Sequence, residues 1–133
     1  MPNSTLDATA LNHLSTIVLD SAMSVHKEMG PGLLEGVYQY CMVKELRNRQ
    51  LMVYTNVTVP LHYKGELLNK EYIIDILVEN EIILELKAIE GILPVHEAQI
   101  ISYLKLANKR LGFLINFNTP LLKQGFRRFV NKL

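Results

Sequence analysis

The stretch IIDILVENEIILELKA, residues 73–88, limits what this chain can fold into more than any other. Two apolar runs of strand length meet at the polar triplet Glu79-Asn80-Glu81, the pattern of an antiparallel hairpin. Each run carries one carboxylate in its middle, Asp75 and Glu85, and Lys87 lies just beyond the second. Side chains alternate along a strand. One face of the hairpin therefore holds Ile74, Ile76, Val78, Ile82, Leu84 and Leu86, wholly apolar and bound to pack on helices. The other holds Ile73, Asp75, Leu77, Ile83, Glu85 and Lys87. A loop of odd length, such as residues 79–81, sets Asp75 opposite Glu85, whereas a two-residue loop sets Leu84 there.

Two carboxylates opposed across a sheet lie close enough to repel, and buried acids are rare without a partner. A divalent cation rewards the arrangement, since Mg²⁺ takes one or two carboxylates and fills its remaining positions with water and phosphate. An ion-pair cluster, with both acids sharing Lys87, is the competing account. Spacing alone does not choose between them.

The rest of the chain supplies the layers around this hairpin. From about Asp7 to Met29, apolar residues from Leu14 through Val25 recur at three- and four-residue steps, an amphipathic helix ended by Gly30-Pro31-Gly32. A second helix runs to about Arg49, with Leu34, Val37, Tyr38, Cys41, Met42 and Leu46 on its inner side. LMVYTNVTVPLHY (51–63) reads as a strand bent or placed at an edge by Pro60, followed by a tight turn at Lys64-Gly65. Pro94 suits the first position of a third helix reaching about Ala107, and LGFLINF (111–117) reads as a buried central strand. The segment from Leu121 reads as a short closing helix. The expected order is α-α-β-β-β-β-α-β-α in one domain spanning 1–133, a mixed α/β (α+β) fold with helices covering a central sheet.

Composition narrows the classes. One cysteine, Cys41, excludes an intrachain disulfide and a Cys-based zinc site, and fits a reducing cytoplasm. No apolar run approaches a membrane span and no signal segment opens the chain. The net charge of +1 hides an asymmetry: from Ala98 onward there are seven Lys and Arg, including Arg127 and Arg128, and no acid. That segment is either a solvated basic surface or a polyanion-binding one.

The spacing of Asp75, Glu85 and Lys87 resembles the D…(D/E)XK signature of the PD-(D/E)XK nuclease superfamily. GLLEGVY (32–38) is similar to the Gly-x-x-Glu-x-x-Tyr pattern of the GxxExxY protein family, a branch of that superfamily. VHKEMGPGLLEGVY, ELKA, HEAQIISYLKL and GFLINF resemble that family's blocks in its order, from about Ile17 to Arg128. The resemblance implies a restriction-endonuclease-like core and metal-dependent phosphodiester hydrolysis with Mg²⁺ or Mn²⁺. It implies Asp75, Glu85 and Glu35 as metal ligands, the Leu86 carbonyl as a further one, and Lys87 as the residue that orients water or stabilises charge on the phosphate.

Glu35 heads the helical stripe of Tyr38, Met42 and Leu46; a first-turn acid complementing the helix dipole is the simpler account of it. Gln99, Tyr103 and His96 share a face of the third helix and, with Tyr38, Arg127 and Arg128, are expected substrate contacts, His26 ranking lower. Ile73 occupies a position where the family often has a basic residue. The expected partner is nucleic acid, DNA before RNA, with no membrane. A second copy or a partner protein would direct target choice. The alternative is a non-catalytic nucleic-acid- or protein-binding module on the same fold.

Overall fold

A computed structural model describes residues 6–133. Its elements are α1 (Ala8–Met29), α2 (Glu35–Asn48), β1 (Val53–Tyr63), β2 (Glu66–Val78), β3 (Ile82–Lys87), α3 (Pro94–Leu106), β4 (Leu111–Asn116), a 3₁₀ turn (Leu122–Gly125) and β5 (Phe126–Val130). The five strands form one mixed sheet in the order β1-β2-β3-β4-β5. β3 and β4 are parallel, joined through α3, and every other pair is antiparallel. Among the described residues no helix is long and apolar enough to cross a membrane.

Helices cover both faces of the sheet, which accounts for the unbroken apolar runs of the central strands. α1 and α2 pack Leu11, Val18, Tyr38, Met42 and Leu46 against Ile76, Val78, Leu84, Leu86 and Phe113. On the other face α3 packs Ile100 and Leu104 against Leu77, Ile83 and Leu114. α3 comes close at Gly112, where a Cβ would sit 3.2 Å from Ile100, Leu104 and the Ile83 carbonyl. The two ends of α1 follow the expected chemistry. The Asp7 carboxylate accepts from the Ala10 amide, and Gly30, at φ 69°, closes the helix.

The α/β class and the positions of α1, α2 and α3 agree with the sequence reading; four details do not. Three strands precede α3 where four were expected, residues 66–78 running as one strand. The expected closing helix is a 3₁₀ turn followed by β5. Phe126 reaches the α1/α2 core and Phe129 the α3 core, so an alternating strand buries an aromatic on each face and covers the open edge of β4. Ile74 packs with the α3 core and not beside Ile76 and Val78. Opposite this region Asn56 adopts a left-handed backbone (φ 51°), and the β1–β2 ribbon exchanges its faces between Thr55 and Val57. On α2, Leu34 and Val37 are exposed, and Tyr38, Met42 and Leu46 do the packing.

Candidate active site

β2 and β3 pair through Val78↔Ile82, Leu77↔Ile83 and Ile76↔Leu84 around the turn Glu79-Asn80-Glu81. Glu79 and Asn80 both have positive φ, which turns the chain in three residues. The next step of that register sets Asp75 opposite Glu85, and there the regular ladder gives way. The Asp75 amide donates to Oε1 of Glu85 at 3.3 Å, and the Leu86 amide donates to Oδ2 of Asp75 at 2.9 Å. Each carboxylate thus satisfies an amide of the opposite strand, a structural return that the sequence reading did not foresee.

The electrostatics carry a cost. Glu85 is only 7% exposed; burial, then the charge of Asp75, pushes its pKa up to about 9. Asp75 is raised by burial, opposed by the Leu86 amide, its contact with Glu85 and the charge of Lys87. Glu35, at the exposed start of α2, is raised by desolvation and then by Asp75, with Lys87 opposing. One ammonium therefore acts on three acids, and among the described residues it forms no ion pair with them within 4 Å. Burial and the neighbouring Asp75 charge thus favour the protonated form of Glu85 at neutral pH. No three His, Cys, Asp or Glu side chains among the described residues are gathered tightly enough to hold a metal ion between them as arranged. Glu35 stands within electrostatic reach of the pair without joining it.

A model of the PD-(D/E)XK nuclease superfamily matches residues 12–129. The chain belongs to the PD-(D/E)XK nuclease superfamily. No curated protein and no solved structure matches it. Nucleases of that superfamily typically use divalent metal ions.

The other residues singled out in this superfamily member separate into groups. Tyr103 borders the pair: burial and then the charges of Glu85 and Asp75 raise its hydroxyl pKa, and its ring lies 4.7 Å from that of Tyr72 at 57°. Gln99 is exposed on the same helix. Nδ1 of His96 accepts from the Leu93 amide at 2.9 Å, so that nitrogen caps α3. His26 bonds the Thr119 carbonyl at 2.8 Å.

Tyr38 is a correction. It is fully buried, its hydroxyl donates to the Gly30 carbonyl at 2.5 Å and accepts from the Leu33 amide at 3.1 Å, and its ring stacks on Phe117 at 4.6 Å. It secures the loop ahead of Glu35 and has no surface to offer a substrate. Arg127 and Arg128 are a second correction, because as neighbours in a strand they point to opposite faces. Arg127 meets Glu97 of α3 at 3.3 Å, and Arg128 donates to Asn12 of α1 at 3.0 Å. They do not form one basic patch.

Two residues at the site escaped the sequence reading. Gln39 donates from Nε2 to the Asp75 carbonyl and to Oδ1 of Asn56, both at 3.2 Å, tying α2 to the cluster. Its signal was its place one helical turn after Glu35. Tyr72, partner of Tyr103, lies three residues before Asp75 in the chain and could have been found by walking back along the strand.

Proposed function

We propose that this chain is a metal-dependent phosphodiester hydrolase of the GxxExxY type, acting on nucleic acid as one domain. The observation that carries the proposal is the facing pair Asp75–Glu85, starved of positive charge, with Glu35 and Lys87 in electrostatic contact. The donor set fits a hard cation: the acids offer carboxylate oxygens, and an ion entering would replace the proton held at Glu85. Asp75 and Glu85 would hold Mg²⁺ or Mn²⁺, with Glu35 and the Leu86 carbonyl available beside them. When bound, the ion would supply a polarised phosphoryl oxygen and an acidified water. Lys87 would orient that water or offset charge developing on the phosphate. Tyr103 bounds the site from α3, and Gln39 holds the Asp75 backbone in place. DNA is the first substrate to test, and a second copy or another protein would supply target choice.

The competing reading, a non-catalytic binding module, gains support from the reciprocal carboxylate–amide bonds, which give Asp75 and Glu85 a structural role of their own. Incubating the purified chain with labelled DNA and RNA, with Mg²⁺, with Mn²⁺ and with chelator, separates the two. Cleavage with metal that chelator stops supports the hydrolase. Binding without cleavage under every condition supports the module.

A further inference from the structure

The basic segment expected to contact substrate is divided by β5 between two faces, which leaves open what guides a polyanion to the acids. A cleft of about 570 Å³ between α2 and β1 answers this, with Gln39, Tyr40, Lys44, Arg47 and Asn56 among the residues that line it. Its volume is in the range of sites that hold sizeable ligands, about 300–1,000 Å³. None of its lining residues is acidic. Apart from Glu35, the only acid of α2 is Glu45, which Arg49 holds at 2.9 Å.

We infer that this cleft seats a single nucleic-acid strand leading to the acid cluster, with Lys44 and Arg47 at its phosphates and Tyr40 stacking an unpaired base. The inference rests on the hydrolase reading for its direction, since a strand so held runs toward Asp75.

Gln39 links the cleft to the site. Gln39 bonds both Asn56, in the cleft wall, and the carbonyl of Asp75. Lining residues from Gly36 to Asn48 make a track that starts beside Glu35, and twelve residues of helix span about 18 Å. At the roughly 3.4 Å per nucleotide of a stacked strand, that is about five nucleotides. Lys44 is exposed and its ammonium is free to follow a phosphate. Arg47 spends one N–H on the Val53 carbonyl at 2.8 Å, which pins the guanidinium at the far end of the cleft with further donors to spare. Tyr40 is 69% exposed on the same surface. An exposed ring one and two helical turns ahead of the cations is a platform for a base, and only an unpaired base presents its face to it.

The test is fluorescence anisotropy in chelator, so that binding is read without cleavage. The probes are labelled dT12, U12 and a 12-base-pair DNA duplex. Wild type should bind dT12 or U12 more tightly than the duplex, and the two single strands report which sugar is preferred. Lys44→Glu should weaken binding about tenfold or more and lower the salt slope by roughly 0.7 per lost phosphate contact. Tyr40→Ala should weaken it with the slope unchanged, while Tyr40→Phe, which keeps the ring, should bind like wild type. Circular dichroism melting confirms that each variant folds.

Unchanged affinity in folded Lys44→Glu and Tyr40→Ala overturns the inference, as does wild type that binds no single strand or prefers the duplex. Binding through Lys44 and Tyr40 in a protein that cuts nothing with metal keeps the inference and removes the hydrolase reading. Cleavage by a protein whose cleft variants bind normally does the reverse.

Discussion

Glu85→Gln should make the metal-free protein more stable at neutral pH, although it alters a residue at the centre of the candidate site. The Glu85 carboxyl is 7% exposed and titrates near 9 in the folded chain against an ordinary 4.5, because burial and Asp75 oppose its charge. Folding above pH 4.5 therefore requires it to take up a proton. For an acid raised in this way, the folded state is least penalised below the unfolded pKa and loses stability as pH rises toward the folded one. At about 1.4 kcal/mol per unit, the cost is roughly 3 kcal/mol at pH 7 and reaches about 6 kcal/mol near pH 9. Asp75 is raised in the same direction, so the curve reports the pair. Gln has the same shape, keeps an oxygen for the Asp75 amide and does not titrate. Urea unfolding in chelator, followed by circular dichroism from pH 4 to 9, should show the variant level with wild type at pH 4. At pH 7 it should lead by about 3 kcal/mol, with melting raised by on the order of 10 °C. A gap that does not change with pH, or a variant weaker than wild type at pH 7 to 8, would refute the account of a Glu85 carboxyl held protonated by burial and Asp75.

Three further outcomes follow from the same geometry. Millimolar Mg²⁺ or Mn²⁺ should raise the wild-type melting temperature, and calorimetry in buffers of different ionisation enthalpy should detect release of about one proton at pH 7; Asp75→Asn should abolish both. An ion-pair cluster would instead show no metal effect and a less stable Asp75→Asn. Lys87→Ala should lower metal-dependent cleavage by on the order of 10²-fold or more while changing substrate binding only slightly, and an equal loss of binding would make it a contact residue instead. Tyr38→Phe should lose about 1–3 kcal/mol of stability by leaving the Gly30 carbonyl and Leu33 amide unpaired, yet keep its cleavage rate per folded molecule. A lowered rate in a fully folded Tyr38→Phe would restore Tyr38 to the substrate surface.

Local pattern was enough for much of this protein. Apolar spacing placed α1 and α2, Pro94 marked the start of α3, and the continuous run 111–117 announced a central strand, because burial and helix starts are written directly into residue order. Residues 73–88 declared the hairpin, its odd loop and the facing acids, since alternation and loop length together set register. Tertiary structure alone decided the rest. RRF at 127–129 suits a helix or a strand by itself, and only the open edge of β4 and two cores awaiting an aromatic each made it a strand. That choice sent Arg127 and Arg128 to opposite faces. Ile74 changed sides because the ribbon twists at Asn56, across the sheet and far from it in sequence. The proton at Glu85 depends on burial and on Asp75 ten residues away, and the cleft beside α2 exists only once β1 lies against it. Neighbours distant in sequence set charge, burial and cavities, so one-dimensional pattern finds the acids and folding determines their state.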